Sequence, residues 1–282
     1  MISVTVLVEN TARGARHIGE HGLAYWIETP LHRVLFDTGQ GLALAHNALV
    51  RGVDLAAADA IVLSHGHYDH VGGLQGALQR ARHAALYFHP RVTEAKFIGP
   101  TAPGRRISLP YIEQEFFRSA ADRVVATAEP VEVVPGIRTT GEIPRTNRFE
   151  DTGGPFYLDA DLTTPDPLLD DQAVYFDTRD GLVVLLGCAH AGVVNTLEHV
   201  AHLTGRAAIH AVVGGMHLEN ASERRLEETV AALRRFQVQR LGPMHCTGWK
   251  AVGLFQREFA AEYAPCAVGT IWHFETVEMP SP

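Results

Sequence analysis

The stretch IVLSHGHYDHVGG, residues 61 to 73, constrains this chain more than any other segment. Four of its side chains can bind a metal, namely His65, His67, Asp69 and His70. They follow an apolar run that is typical of a strand buried on both faces, and they precede a glycine pair. Because buried polar groups without partners are destabilising, three imidazoles and a carboxylate in so short a segment require a shared partner. The segment therefore predicts a metal site at the end of a strand.

The spacing within this segment suits either one ion or two. His65 and His67, two residues apart, can hold one ion if the backbone stays extended. Asp69 and His70 fall on the following turn and face a neighbouring point. Neutral imidazoles with a carboxylate suit Zn²⁺, or Mn²⁺ and Fe²⁺ when more oxygen ligands join. The segment cannot complete a tetrahedral site alone, so further ligands must come from elsewhere in the chain.

The rest of the sequence predicts an α/β fold that delivers such ligands. Strand and helix patterns alternate from residue 42 onward, and open α/β sheets bind ligands at the carboxyl ends of their strands. His190 follows the apolar run LVVLLGCA and His245 follows VQRLGPM, so we predict both as ligands. Residues 71–82 read as one helix, residues 192–205 as a helix closed by Gly205, and Asn220 as the start of the next helix.

Two segments, residues 90–122 and 143–172, interrupt this alternation and are too long for plain connections. Long loops in compact domains are commonly binding loops or lids, so we expect both to cover the site. Their arginines suit phosphate groups and their aromatic rings suit a flat heterocycle. These residues are Arg105, Arg106, Arg145 and Arg148, with Phe97, Phe117, Phe156 and Tyr157.

Arg145 and Arg148, together with His89 and His217, are the candidates for lining the substrate pocket, since both histidines follow predicted strands. Most other histidines, His21 among them, are interpreted as ordinary core or surface residues.

Charge and composition narrow the partners. Acidic residues outnumber basic ones 32 to 24, and the net charge of −8 gives no attraction toward nucleic acid or an anionic membrane. We therefore expect a small-molecule substrate. The three cysteines have no paired spacing, and the N-terminus lacks a signal-peptide pattern, so a cytoplasmic location is expected. The sequence carries no signal for the oligomeric state.

The pattern H-x-H-x-D-H followed by Gly-Gly resembles the metallo-β-lactamase superfamily. The resemblance implies a single αββα sandwich over residues 1–282 with a one- or two-metal site along one edge of the sheets. LFDTGQG, residues 35–41, matches an early turn of that family, which implies that Asp37 holds a ligand histidine. The segments GCAHAGVVNT, VVGGMHL and MHCTG look like the subfamily of 7,8-dihydropterin-6-methyl-4-(β-D-ribofuranosyl)aminobenzene 5'-phosphate synthases.

One departure from the family pattern leaves the ligand set open. Many members carry a histidine in a Gly-His-Thr-Pro-Gly type loop, and the comparable segment TTGEIPR has Glu142 there instead. Either Glu142 is a ligand, or the site takes a residue of GCAH, which offers His190 and Cys188. Asp69 is the candidate catalytic residue, because a carboxylate at the site can move a proton.

These patterns favour a metal-dependent enzyme that acts on a phosphorylated, ring-containing small molecule, including a dihydropterin-type synthase that releases diphosphate. Hydrolysis of an ester, thioester, lactone or phosphodiester needs the same ions and is the alternative. A non-catalytic metabolite sensor is a third reading, and turnover separates it from the other two.

Overall fold

The computed structural model describes residues 1–109 and 123–277. The strands are β1 (Ile2–Val8), β2 (Ala24–Glu28), β3 (Arg33–Phe36), β4 (Ala60–Val62), β5 (Ala85–Phe88), β6 (Phe97–Ile98), β7 (Arg105–Arg106), β8 (Val124–Ala126), β9 (Val131–Val134), β10 (Ile137–Thr139), β11 (Phe156–Tyr157), β12 (Val174–Thr178), β13 (Gly181–Leu186), β14 (Ile209–Gly215), β15 (Arg240–Met244) and β16 (Ile271–Phe274). The helices are α1 (Leu44–Arg51), α2 (Tyr68–Val71), α3 (Leu74–Arg80), α4 (Val193–Thr204), α5 (Glu223–Arg235) and α6 (Trp249–Glu258).

Two large sheets form the body of the protein. One has the strand order β16-β1-β2-β3-β4-β5-β8 and the other the order β15-β14-β13-β12-β10-β9. Strands β3, β4, β5 and β8 run parallel to one another, as do β13, β14 and β15. The carboxyl ends of the parallel strands in each sheet therefore meet at one edge, where ligands bind in α/β proteins.

Three apolar layers hold the two sheets and the helices together. Val6, Ile27, Val183 and Val213 belong to the layer between the sheets. A second layer packs α1 and α3 onto the first sheet, and a third packs α4, α5 and α6 onto the second sheet. This arrangement of helix, sheet, sheet and helix confirms the predicted αββα sandwich. Within the described ranges, no helix is both long and apolar enough to cross a lipid bilayer.

Two helix boundaries differ from the predictions. Residues 71–82 do not form one helix, since α2 ends at Val71 and α3 begins at Leu74. A Cβ on Gly73 would lie 2.3 Å from the Thr38 carbonyl oxygen, so the glycine pair serves a close approach of two chain segments. Helix α5 is capped by Ser222, not Asn220, because the Ser222 side chain accepts a hydrogen bond from Arg225 N. Gly205 closes α4 in the left-handed conformation as predicted.

The two long insertions meet in a third, three-stranded sheet. Strands β6 and β7 come from the first insertion and β11 from the second, in the order β11-β6-β7. Ile98 pairs with Phe156 on one side and with Arg105 on the other. The predicted aromatic Phe117 and the rest of residues 110–122 lie outside the described residues. The two insertions thus act as one covering unit beside the strand ends.

Candidate metal centre

The candidate site lies where five strands end. Asp37 follows β3, and the segment His65 to His70 follows β4. On the second sheet, Cys188 and His190 follow β13, His217 follows β14 and His245 follows β15. Asp37 and all of the candidate ligands here except His217 are nine-tenths or more buried. The edge predicted from the strand pattern is therefore where the candidate ligands meet.

The backbone leaves these strands through an uncommon conformation. Of the seven non-glycine residues with positive φ in the described part of the chain, four lie here: Asp37, Ala189, His217 and His245. A non-glycine residue in this region costs on the order of 1 kcal/mol, and such residues cluster at functional sites. The turn they produce bends the chain sharply out of the sheet, so that neighbouring side chains point to one place.

One group of ligand atoms consists of three imidazoles. The ligand nitrogens of His65, His67 and His190 lie within 4.8 Å of one another, and His65 Nε2 is 3.0 Å from His67 Nδ1. His190 Nδ1 donates a hydrogen bond of 2.7 Å to the Thr152 carbonyl oxygen. That bond leaves the lone pair of His190 Nε2 directed into the group, where this buried atom has no hydrogen-bond partner in the described residues. The chemistry of the group fits a divalent cation.

A second group adjoins the first. His70 Nε2 lies 3.2 Å from His245 Nε2 and 3.1 Å from Cys188 Sγ. Asp69 Oδ2 is 3.4 Å from His245 Nε2 and 3.8 Å from His70 Nε2. Ligands at normal zinc distances sit about 3.3–3.6 Å apart at the corners of a tetrahedron. These four separations are close to that spacing, so this group also fits a cation.

Asp37 orients the His70 ring of the second group. Its Oδ2 accepts a hydrogen bond of 2.7 Å from His70 Nδ1, which leaves His70 Nε2 to face Cys188 and His245. Ser64 donates to the same carboxylate through both its backbone N and its Oγ, each at 2.7 Å. This agrees with the role that the family resemblance implied for Asp37, a carboxylate behind a ligand histidine.

Burial sets the charge of the first group. It lowers the pKa of His65 well below its ordinary value and that of His67 to about 3, with neighbouring histidines adding to the effect for His65. Burial and His217 likewise hold the pKa of His190 well below its usual range. These three imidazoles are therefore neutral at neutral pH, which is the form that binds metals.

The second group carries charge. Burial acts to raise the pKa of Asp69, but His70, His21 and His245 outweigh it and hold this pKa well below the ordinary value. For His70, burial acts to lower the pKa, but Asp37 and Asp69 raise it above the ordinary value. Burial raises the pKa of the Cys188 thiol. A cation bound here would displace protons from His70 and Cys188, as metals do when they bind titratable ligands.

Sequence reasoning missed His21, which was assigned to the ordinary surface histidines. Its Nε2 lies 3.2 Å from Asp69 Oδ2, and its ring centroid is 5.2 Å from that of His245. The side chain is 55% exposed, so His21 connects the buried carboxylate with solvent. No local pattern marks it, because it lies in a loop far from the other site residues in sequence.

Several other candidates lie elsewhere. Glu142 belongs to no cluster of three or more convergent ligand atoms in the described residues, and its Oε2 instead faces His89 Nε2 at 3.3 Å, in a geometry that is not a hydrogen bond. Of the two alternatives for the missing histidine, the structure therefore favours the GCAH segment. His89 does not line the cavity at the site. Its Nδ1 instead accepts a hydrogen bond from Arg91 N at the start of a short turn.

The two arginines predicted to line the pocket have other positions. Arg145 donates to the carbonyl oxygens of His190 at 2.8 Å and Pro167 at 2.5 Å, so its guanidinium braces the backbone behind the site. Arg148 is exposed and does not line the cavity. Both expectations are corrected for the same reason, since a segment's proximity to the site does not determine where each of its side chains points.

The cavity beside the two groups has a volume of about 210 Å³. His217 lines it as predicted, together with Cys246 and Asn220, which sequence reasoning did not select. One wall is apolar and comes from the three-stranded sheet. The lining residues are His21, His67, Tyr68, Asp69, Ile98, Arg105, Ile107, Gly153, Gly154, Pro155, Phe156, Cys188, His217, Asn220, His245 and Cys246.

A buried lysine ties the two insertions to the histidine segment. Lys96 Nζ lies 3.0 Å from Asp166 Oδ2 and 2.9 Å from Asp170 Oδ1, and all three side chains are almost fully buried. The other oxygen of Asp170 accepts a hydrogen bond of 2.8 Å from Gly66 N, between His65 and His67. The triad of Lys96, Asp166 and Asp170 therefore positions the backbone of the first ligand group.

Glu150, in the second insertion, caps the helix that follows His190. Its carboxylate accepts hydrogen bonds of 2.9 Å from Val194 N and Asn195 N, backbone donors at the start of α4 that have no partner within the helix. We expect Glu150→Ala to lower the free energy of unfolding by about 1–2 kcal/mol, the usual cost of losing a helix cap. Urea denaturation measures this change. The exposed Glu227→Ala on α5 is the control and should shift stability by less than about 0.5 kcal/mol; an equal shift for both would contradict the capping role.

The sandwich and its edge define a class of protein, one that holds candidate metal ligands at the strand ends of two facing sheets. Residues 18–211 match the model of the metallo-β-lactamase superfamily. The chain belongs to this superfamily.

Three known proteins align with nine-tenths or more of this chain. It is 29% identical over 267 residues to the 7,8-dihydropterin-6-methyl-4-(β-D-ribofuranosyl)-aminobenzene-5'-phosphate synthase of Methanocaldococcus jannaschii, covering 90% of each protein. Among solved structures, Tm1679, a metal-dependent hydrolase of the β-lactamase superfamily, aligns with a TM-score of 0.81 at 26% identity, over 98% of this chain and 100% of that one. Zn²⁺-bound PqqB from Methylobacterium extorquens shares the fold, with a TM-score of 0.56 at 15% identity over 96% of this chain and all of that one.

Proposed function

We propose that this protein is a metal-dependent enzyme acting on a phosphorylated, ring-containing small molecule. The observation that carries the proposal is the convergence of two adjoining groups of buried ligand atoms beside an open cavity. His65, His67 and His190 would hold one ion, and Asp69, His70, His245 and Cys188 a second. Three imidazoles leave a coordination position open, as catalytic zinc sites do. Zn²⁺ suits this donor set, and Mn²⁺ or Fe²⁺ are the alternatives.

Ions bound there would supply Lewis acidity and lower the pKa of water at the site. The side chains of the protein would transfer the proton and exclude water. Asp69 stays ionised, contacts His245 and His21, and is placed to take a proton from the attacking group. His21 passes that proton toward solvent, because its side chain is half exposed. Phe156, packed 5.0 Å from the His67 ring, keeps one side of the reacting region dry.

The specific reaction that we propose is a synthase reaction of the dihydropterin type. In it, the amine nitrogen of an aminobenzene ribonucleotide forms a bond to the methylene carbon of a dihydropterin methyl diphosphate. The carbon–oxygen bond to diphosphate breaks, and the nitrogen loses a proton. Similarity over nine-tenths of both chains to the methanogen synthase supports this choice, and the cavity has an apolar wall suited to flat rings. Ester, thioester, lactone or phosphodiester hydrolysis at the same ions is the alternative reaction.

Metal removal tests the proposal. Protein stripped with a chelator should lose turnover, and reloading with Zn²⁺ or Mn²⁺ should restore it. The substrates to compare are the pterin diphosphate with the aminobenzene ribonucleotide, bis(p-nitrophenyl) phosphate, a thioester and a lactone. Restored turnover on the first pair alone supports the synthase, whereas turnover on one of the others supports a hydrolase. Loaded protein that turns over none of them contradicts the proposal and favours a metabolite sensor.

A further inference from the structure

The wall of the cavity contains a single permanent positive charge among the residues that line it. This charge is Arg105, on the edge strand of the three-stranded sheet. Apart from the histidines and the two cysteines, the other lining side chains are neutral, except for Asp69 at the candidate metal centre. Within the described ranges, no carboxylate forms a salt bridge with Arg105, and its side chain is exposed at the cavity. An arginine in this position is available to an anion from outside the protein.

Strand register directs Arg105 toward the cavity and its neighbour Arg106 away from it. Phe156 pairs with Ile98, and Ile98 pairs with Arg105, so these three residues form one row across the sheet. Residues in one cross-strand row share a face, and the next row faces the other way. The row of Phe156, Ile98 and Arg105 lines the cavity. Arg106 belongs to the opposite row and donates instead to Ser108 Oγ at 2.7 Å.

The row leads outward from the candidate metal centre. Phe156 packs 5.0 Å from the His67 ring and 5.1 Å from the His190 ring, at the inner end. The backbone of Arg105 lies two strands away from that of Phe156, which corresponds to about 10 Å at the usual strand spacing. Its guanidinium carbon lies 5.7 Å from the centre of the Tyr68 ring, a cation–π contact that holds the side chain over the cavity.

We infer that Arg105 binds a phosphate group of the substrate that does not react. The guanidinium fork matches a phosphate monoester, and Ile98 with Phe156 covers the apolar ring between that phosphate and the reacting bond. This inference rests on the proposed function for the position of the reacting bond. It selects, among ring compounds, those that carry a phosphate at the end remote from the metal centre. Arg105 is thus a specificity residue for the remote end of the substrate.

The test compares two probes that differ by one phosphate: 4-(β-D-ribofuranosyl)aminobenzene 5'-phosphate and its dephosphorylated nucleoside. Calorimetry measures their affinity for zinc-loaded protein. The unaltered protein should prefer the phosphorylated probe. Arg105→Gln should weaken binding of that probe by about tenfold or more, the usual effect of losing a charged hydrogen bond, and leave the nucleoside unchanged. The adjacent Arg106→Gln should change neither affinity.

Three results would overturn the inference: no preference for the phosphorylated probe, equal losses for both probes in Arg105→Gln, or a loss in Arg106→Gln as large as in Arg105→Gln. Zinc content and thermal unfolding of both variants should match those of the unaltered protein, which separates anion binding from folding. Binding is read without turnover. A protein that discriminates the probes through Arg105 but catalyses nothing would therefore retain this inference while contradicting the proposed function.

Discussion

Replacement of His67 by alanine is expected to remove one bound ion per chain and at least about a thousandfold of the metal-dependent turnover. His67 Nδ1 lies 3.0 Å from His65 Nε2, in the group completed by His190. With one imidazole gone, two neutral ligands remain, and a catalytic zinc site needs three. A metal centre contributes several kcal/mol of transition-state stabilisation, and about 4 kcal/mol corresponds to a thousandfold in rate. Elemental analysis and steady-state kinetics on the active substrate measure the two losses.

The control for this experiment is His202→Ala. His202 is a histidine on the exposed face of α4, away from both ligand groups. This variant should keep the metal content and turnover of the unaltered protein. If His67→Ala retained its full metal content and rate, the assignment of the three-imidazole group as a metal site would be wrong.

Lys96→Met is expected to lower the free energy of unfolding by about 3–5 kcal/mol, the typical cost of removing one partner of a buried ion pair. Methionine fills similar space, but Asp166 and Asp170 are left buried without their cation. Because Asp170 also accepts from Gly66 N, the variant should bind zinc more weakly too. Chemical denaturation measures the stability change, and zinc titration measures the second effect.

The other lysine of the chain provides the matched control. Lys250 Nζ lies 3.7 Å from Glu223 Oε1, and both side chains are more than 60% exposed. Lys250→Met should therefore change stability by less than about 0.5 kcal/mol. Similar losses for the two lysine variants would show that the buried triad does not stabilise the fold.

The effect of Lys96 should persist across the neutral pH range. Burial acts to lower the pKa of Lys96, but Asp170 and Asp166 outweigh it and raise this pKa above the ordinary value of 10.5. A raised folded-state pKa of a cation contributes stability that is complete below the unfolded-state pKa. That stability is lost only as the pH rises through the folded value. Measurements near pH 7 therefore capture the whole contribution.

Much of the site could be predicted because its residues lie in short, local patterns. The segment from His65 to His70 stands directly after a buried strand, and His190 and His245 stand after two others. Parallel strands bring their carboxyl ends to one edge, so apolar runs followed by histidines predicted where these residues meet. His21, Lys96 and Arg105 carry no such signal. They lie in loops or in a two-residue strand, and what they contact is set by chain segments distant in sequence.

The amino-acid sequence by itself indicated the superfamily, and with it the αββα architecture, through the resemblance of its H-x-H-x-D-H motif. Strand periodicity indicated the core of the candidate ligand set, because motifs and periodicity are local properties of the chain. Only the tertiary structure decided that Glu142 faces His89, that Arg145 braces the backbone of His190, and that the two insertions join in one sheet. It also decided which of two adjacent arginines faces the cavity. The physical reason is that a side chain's direction depends on strand register and long-range packing, where a shift of one residue exchanges the two faces of a strand.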